Sequence, residues 1–347
     1  MKWQLKHPML QNFEIEIKQF TQIIGTNQQL KYTIFQLFEW YFGGRKYLEE
    51  DLTLLSMDDP CIKVDGEVIN RRSFKLFTIT TLDSLSEHVS YKKGTLAFDY
   101  LQGVFRSIDL MEHLEDINNQ LLRMSSIINL RIESPSFNVK YFVEPIEFTK
   151  DSIIQKQLRP SYQMLNTNVS FDILDSRDKC DIFLNMLSAY CEKSTENIMI
   201  MISSVSAELS YSDFRYLCEQ LDELTKTYPN LWVISFVSGN GNGYITQDTI
   251  EGVTIAGDQV ATLYELSFFH SRVANRYPST DFPNELEFLA TLQRIAYCLL
   301  TEDVSIYSLS IDDETIIKIV NELYGFRAIK CLKQSGNELN VRFLDKY

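Results

Sequence analysis

The feature that most limits how this chain can fold is an apolar run that enters a glycine turn and continues as an amphipathic segment. Thr21 to Ile24 predicts a buried strand, Gly25 opens the turn, and the helix that follows is expected to stop at Gly43-Gly44. Strand, loop and helix in this order, with Lys31 near the helix start, are the layout of a phosphate-binding loop. The order predicts an α/β fold.

The loop itself departs from a working phosphate loop. In the pattern G-x-x-x-x-G-K-[ST], the second glycine lets backbone N–H groups close around phosphate, and the last hydroxyl holds magnesium. Leu30 and Tyr32 stand at those two positions here. Gly25 and Lys31 therefore mark a degenerate phosphate loop, on a scaffold that resembles a P-loop NTPase. The alternative is that Lys31 simply snorkels at the helix start, with apolar residues packed below it.

The second nucleotide motif is also incomplete. Ile198 to Ile202 is a continuous apolar run, typical of a buried parallel strand, at the place where an NTPase carries a strand ending in Asp or Glu. Serines and Val205 follow instead, and the first acidic residue beyond the run is Glu208. No carboxylate stands at the strand end to hold magnesium or polarise a water. We therefore expect no ATP hydrolysis and no ATP cofactor.

The remaining pattern predicts three regions. Residues 1–90 and 166–277 form the α/β head, with a hairpin turn at Asp65-Gly66 and a strand–helix–strand unit from Ile198 to Val237. A mostly helical insertion, the leg, occupies residues 91–165 and contains a long amphipathic stretch. Residues 278–347 form a small α+β C-terminal extension, for which two helices and a terminal hairpin are predicted.

Local patterns also predict two helices and a glycine-rich loop. Asp175 to Glu192 and Ser212 to Thr227 are predicted as helices. The Gly-rich stretch Ser238 to Gly243 precedes an extended segment and is interpreted as a surface loop rather than a dinucleotide loop.

The net charge and the distribution of basic residues limit which ligands the protein can bind. The net charge of −14 argues against a general nucleic-acid coat, unless basic residues gather on one protected surface such as a channel. Basic residues cluster between residues 71 and 93, and more follow in the insertion. This distribution fits either a phosphate-tracking stripe or an ordinary solvated face. The DNA-binding candidates are Arg71, Arg72, Lys75, Lys92, Lys93, Lys140 and Lys156.

The sequence gives no support for structural zinc, for nucleophilic catalysis or for a membrane segment. Six scattered cysteines without a CxxC pair predict reduced thiols and no structural zinc. Catalytic residues are not assigned, because nucleophile signatures such as G-x-S-x-G are absent. The apolar runs are too short to span a bilayer, and the first residues lack a signal-peptide block. We expect a cytoplasmic protein without a membrane partner.

Taken together, the layout resembles the Csn-two family, the CRISPR-associated spacer-acquisition proteins of type II-A systems. The resemblance rests on the degenerate loop Gly25 to Thr33, on the helical insertion that splits an α/β head, and on Ile198 to Ser206 leading into Tyr211 to Phe214. It covers roughly residues 1 to 260. The extra C-terminal region is similar to the long form of the family.

The resemblance implies an assembly, a ligand and a biological role that the residues alone do not show. Family members are not known as enzymes and assemble as ring-shaped homotetramers with a basic central channel. They bind double-stranded DNA, preferring free ends, without reading sequence. They support spacer acquisition in antiviral defence, together with the CRISPR integrase and effector nuclease of the same system. Calcium sets the conformation of shorter members, but no motif here places its ligands, so the metal site is left unassigned.

Two other readings compete with this one. The chain could be a divergent P-loop NTPase that uses Lys31 on phosphate, or a protein-only scaffold whose leg and extension are docking surfaces.

Overall fold

The computed structural model describes residues 1–7, 10, 13–44, 50, 61–132, 141–203, 205, 208–237, 243–302, 304, 309–326 and 339. The strands in this part of the chain are β1 (Lys2–Lys6), β2 (Phe13–Glu16), β3 (Phe20–Ile24), β4 (Cys61–Val64), β5 (Glu67–Val68), β6 (Lys75–Ile79), β7 (Tyr162–Met164), β8 (Thr167–Val169), β9 (Ile198–Ser203), β10 (Leu231–Phe236), β11 (Val253–Ala256) and β12 (Val260–Thr262). The helices are α1 (Gln28–Phe42), α2 (Leu82–His88), α3 (Leu96–Val104), α4 (Ile108–Arg131), α5 (Lys150–Lys156), α6 (Ser176–Lys193), α7 (Tyr211–Thr227), α8 (Leu266–Ala274), α9 (Glu285–Ile295) and α10 (Ile311–Leu323).

A mixed six-stranded sheet forms the centre of the fold. Its strand order is β12-β11-β3-β10-β9-β6. The five strands from β11 to β6 are parallel, and β12 runs antiparallel at one edge. Strands β3 and β9 are buried almost throughout, as is typical of central strands in a parallel sheet. The predicted α/β class is confirmed, and β9, α7 and β10 form the predicted parallel strand–helix–strand unit.

Helix α1 lies in a large apolar core. A four-stranded sheet, β2-β1-β4-β5, packs on it, with the rings of Trp3 and Phe38 centred 5.7 Å apart. Met199 and Ile234 of the six-stranded sheet belong to the same buried cluster. This core fixes α1 against the sheet, and therefore fixes the turn that precedes it.

The chain divides into two compact units. The first comprises residues 1–84 and 195–347, and the second residues 85–194. In the second unit α3 packs on α5 and α6. The predicted insertion at 91–165 lies inside this unit, and the domain boundaries 1–90, 166–277 and 278–347 remain predictions.

Most predicted elements are present, with differences at their ends. The hairpin turn at Asp65 and Gly66 is confirmed, with φ values of 49° and 92°. The long helical stretch is divided into α3 and α4, and α9 ends at Ile295 and continues as a short 3-10 turn. Residues 238–242 of the Gly-rich loop and almost all of the predicted terminal hairpin lie outside the described residues.

Candidate functional site

The turn after β3 is held tightly against a neighbouring strand. Gly25 has a φ of +141°, and a Cβ at this position would lie 2.3 Å from the carbonyl oxygen of Ala256. The Asn27 N–H donates to that same oxygen at 3.0 Å. Only glycine fits here, because both the backbone conformation and the close approach exclude a side chain. The turn therefore contacts β11 directly.

The N-terminus of α1 is capped from within the chain. The Asn27 side chain accepts a hydrogen bond from the Leu30 N–H at 2.9 Å, and the Gln28 N–H donates to the carbonyl of Thr26. A phosphate-binding loop leaves such N–H groups for the ligand. Here these donors already have partners. Asn27 could have been recognised from the sequence as an N-cap residue.

Lys31 is buried, so the prediction that it snorkels to the surface is wrong. Its side chain is 4% exposed, and its Nζ donates to the carbonyl oxygen of Val237 at 2.6 Å. The ring of Tyr297 lies 5.3 Å from the ammonium. Burial lowers the pKa of Lys31 to about 8. The carbonyl and the ring partly compensate the ammonium for its lost hydration.

A segment from the C-terminal region covers this turn. The Tyr297 hydroxyl accepts from the Gln28 side chain at 2.8 Å, and the hydroxyls of Thr26 and Thr301 are 2.9 Å apart. No sequence signal pointed to Tyr297 or Thr301, because they lie about 270 residues from their partners. Together with the Asn27 cap, they form hydrogen bonds at the turn and at the start of α1.

The strand β9 ends at Ser203, as the sequence predicts, without a carboxylate among its residues. Glu208, the first acidic residue beyond it, accepts a hydrogen bond from the Leu82 N–H at 2.6 Å. This carboxylate is therefore used at the start of α2, where it also suits the helix dipole.

The DNA-binding candidates belong to both compact units. In the first, Arg71 is half-buried with its guanidinium 5.2 Å from the Tyr41 ring, Arg72 is exposed, and Lys75 is half-buried at the start of β6. In the second, Lys92, Lys93 and Lys156 are exposed. The remaining candidate, Lys140, lies outside the described residues. Within each unit the candidates are accessible to a ligand, Arg71 and Lys75 only in part.

In the second unit, α4 carries an extended strap of residues 141–149. The Asn129 side chain exchanges two hydrogen bonds with the backbone of Val143, at 2.7 and 2.9 Å. Asn118 exchanges two with the backbone of Phe148, at 2.8 and 3.0 Å. Each asparagine side chain thus pairs with one N–H and one C=O group of the strap backbone. Sequence reasoning missed this pairing.

Within the described ranges, no three His, Cys, Asp or Glu side chains gather in a way that could hold a metal ion. A helix with the length and apolar character needed to cross a bilayer is likewise not found among the described residues.

Comparison with known proteins identifies the chain as a CRISPR-associated protein. A search of curated protein sequences gave no match. The family described as CRISPR-associated protein Csn2, subfamily St, matches residues 5–345. The chain also resembles the crystal structure of Stu0660 of Streptococcus thermophilus, with 34% identity, a TM-score of 0.88, and coverage of 99% of this chain and 100% of that one. The chain therefore belongs to the Csn2 family, subfamily St, which confirms the predicted resemblance to the Csn-two family.

Proposed function

We propose that this protein binds double-stranded DNA ends without reading their sequence, as a ring-shaped homotetramer that supports CRISPR spacer acquisition. Membership of the Csn2 family over nearly the whole chain is the observation that carries the proposal. The DNA-bound ring would act beside the integrase and the effector nuclease of the same system.

The charge distribution supports a restricted DNA surface. Residues 195–347 contain 11 Lys and Arg against 21 Asp and Glu, which accounts for 10 of the 14 net negative charges. Residues 1–194, which include every DNA-binding candidate, are therefore close to neutral. DNA would be repelled by the acidic part of the chain and accepted only where the lysines and arginines concentrate.

The closed turn supports a non-enzymatic role. We interpret β3, the turn and α1 as a P-loop-like unit that has lost its nucleotide chemistry. Asn27 and Tyr297 fill the phosphate position, and Lys31 directs its ammonium at Val237 instead. A divergent NTPase would need these contacts to open before Lys31 could reach a phosphate. No observation favours that alternative over the DNA-binding proposal.

The proposed DNA binding does not depend on a calcium site. The described residues offer no set of three or more carboxylate or imidazole ligands. Whether calcium binds is tested directly by repeating the DNA titrations with and without a chelator.

The test compares linear with covalently closed circular DNA across a salt series, using protein whose mass in solution is measured. We expect a tetramer that binds linear DNA tightly, with affinity falling steeply with salt at a log–log slope of about −0.9 per neutralised phosphate. No binding to either form would contradict the proposal and favour the protein-only scaffold. Equal binding to both forms would contradict the preference for ends.

A further inference from the structure

The strands β7 and β8 form an exposed hairpin in the second compact unit. They make a two-stranded sheet of their own, and Met164 lies opposite Thr167, so Leu165 and Asn166 are the two residues of the turn. The side chains of residues 163–168 are all exposed. The hairpin tip is therefore presented to solvent and is open to a ligand.

Leu165 is unusual at the tip in two respects. Its φ is 49° and that of Asn166 is 65°, and a hairpin turn with positive φ at both positions favours Asn-Gly. A leucine in this conformation is strained by its Cβ. Its side chain is also 94% exposed, so the strain is not compensated by burial. Strained residues of this kind cluster where proteins contact ligands, which makes Leu165 a candidate contact.

The base of the hairpin packs beside two of the DNA-binding candidates. The rings of Tyr162 and Phe171 are centred 5.3 Å apart. Burial and, after it, the nearby Tyr91 raise the pKa of Tyr162 to about 12. Tyr91 directly precedes Lys92 and Lys93, which are both exposed. The fold of this unit therefore brings these two lysines close to the hairpin.

The chain that enters the hairpin is basic as well. Lys156 ends α5 and Arg159 follows it, and both are exposed, whereas residues 152–171 contain no Asp or Glu. The Nζ of Lys179 lies 5.6 Å from the centre of the Phe171 ring. An uncharged tip bordered by basic residues, in a chain of net charge −14, is complementary to an apolar surface that phosphates surround.

The carboxylates on either side of the hairpin make other contacts or lie beyond it. Asp151 accepts a hydrogen bond from the Gln102 side chain at 2.5 Å, and Asp175 accepts one from the Asp178 N–H at 2.8 Å, which caps α6. Asp172 comes after β8 has ended. The tip itself therefore carries no negative charge that would repel a phosphate.

We propose that the tip of this hairpin packs on the terminal base pair of double-stranded DNA, with Leu165 against the exposed face of the bases. The face of a terminal base pair carries no phosphate, and covering it with leucine removes apolar surface of both molecules from water. Leucine is among the apolar side chains that proteins pack against base faces. The contact is alike for every base, so it would recognise an end without reading sequence.

This inference rests on the proposed function, because it names the residue that recognises a DNA end. Leu165→Asn is the variant that tests it. Asparagine adopts a positive φ more readily than leucine, so the turn is kept and the apolar side chain is lost. The midpoint of urea unfolding should therefore be equal to that of the wild type or higher, which separates a loss of binding from damage to the fold.

The first experiment measures the affinity of the full chain for blunt-ended linear DNA and for covalently closed circular DNA. We expect Leu165→Asn to bind the linear DNA about 10-fold more weakly than the wild type does, because one leucine is left uncovered. Binding to the circular DNA should not change. A variant that binds linear DNA as tightly as the wild type would overturn the inference, and so would an equal loss on both forms.

Leu286→Asn is the matched control. Leu286 is 79% exposed and lies in α9 of the other compact unit, so the same substitution should leave both affinities unchanged. Light scattering should give the same mass for the wild type and both variants. A loss of linear-DNA binding in the control as large as in Leu165→Asn would contradict the assignment, as would a loss of mass in Leu165→Asn.

The position of the contact is tested with 2-aminopurine in the DNA. Wild-type protein should change the fluorescence of a probe in the terminal base pair, and Leu165→Asn should not. A response that depends on Leu165 at a probe in the middle of the duplex, without one at the end, would mean that the leucine enters a groove and would refute the proposed contact.

The outcomes separate this inference from the proposed function. If the wild type prefers linear DNA and Leu165→Asn retains its full affinity for it, the inference fails and the function stands. If the wild type binds linear and circular DNA equally, or binds neither, the proposed function fails and the inference fails with it.

Discussion

The ammonium of Lys31 points at the carbonyl oxygen of Val237, 2.6 Å away and 206 residues further along the chain. Val237 directly follows β10, so the lysine meets the carboxyl end of a central parallel strand. Open α/β sheets bind their ligands at this edge. Among the described residues at this edge, the Lys31 ammonium is held by a backbone carbonyl of the chain itself.

Lys31 makes stability depend on pH in alkaline solution. Its pKa is lowered to about 8 by burial, whereas an unfolded lysine titrates near 10.5. Between these values the unfolded chain binds more protons, so stability rises with pH across this window. Below pH 8 the buried charge has its full cost, which the shift places at roughly 3 kcal/mol.

The measurement is the free energy of unfolding of the wild type and Lys31→Met at several pH values from 7 to 10.5. We expect the wild type to gain relative to the variant as pH rises, because methionine does not titrate. Lys93→Met removes the charge of an exposed lysine and is the matched control. A difference that stays constant with pH would contradict a lowered pKa.

The sequence predicted the secondary structure around the turn better than the side-chain contacts made there. The apolar run, the glycine and the amphipathic spacing were sufficient for β3, the turn and α1, because local periodicity determines such elements. The direction of Lys31 was not predictable, since its acceptor and its covering ring come from distant segments. The closure by Tyr297 and Thr301 is a tertiary contact with no local signal.

Asn27 is expected to stabilise the protein through α1. Asn27→Ala removes the acceptor for the Leu30 N–H and should lower the free energy of unfolding by about 1 kcal/mol. Asn27→Asp keeps an acceptor and should lose less. Urea unfolding of the three proteins is the measurement. An alanine variant as stable as the wild type would mean that the cap contributes nothing.

Lys226 binds three carboxylates at one end of α7. Its Nζ lies 3.1 Å from Asp222, 3.0 Å from Glu223 and 3.1 Å from Asp248. Its pKa is raised, first by the hydrogen bond to Glu223, while burial raises the pKa of the Asp222 carboxyl. The lysine therefore stabilises a group of carboxylates that would otherwise repel one another.

Lys226→Met should destabilise the protein by roughly 1–2 kcal/mol at neutral pH, since it leaves a buried carboxylate without its cation. The loss should shrink as pH falls through the titration of the carboxyls, because protonation removes their repulsion. Unfolding curves at pH 7 and in acid check this. Lys226→Arg, which keeps the charge, should lose less. A loss that does not depend on pH would contradict the electrostatic explanation.

Lys92 and Lys93 provide the sharpest test of DNA contact, because both are exposed in one turn before α3. If each neutralises a phosphate, Lys92→Gln/Lys93→Gln should reduce the magnitude of the log–log salt slope by about 1.8 and weaken all DNA sequences alike. The slope distinguishes lost phosphate contacts from damage to the fold, which would lower affinity without this fixed change.

The control removes the same charge from the acidic part of the chain. Arg215 and Arg276 are exposed and lie outside the candidate set, so Arg215→Gln/Arg276→Gln should leave the slope unchanged. Equal changes in both variants would mean that DNA senses only the net charge. If the lysine variant keeps the wild-type slope, Lys92 and Lys93 do not contact phosphate, and the contact must be sought at Arg71, Arg72, Lys75 or Lys156.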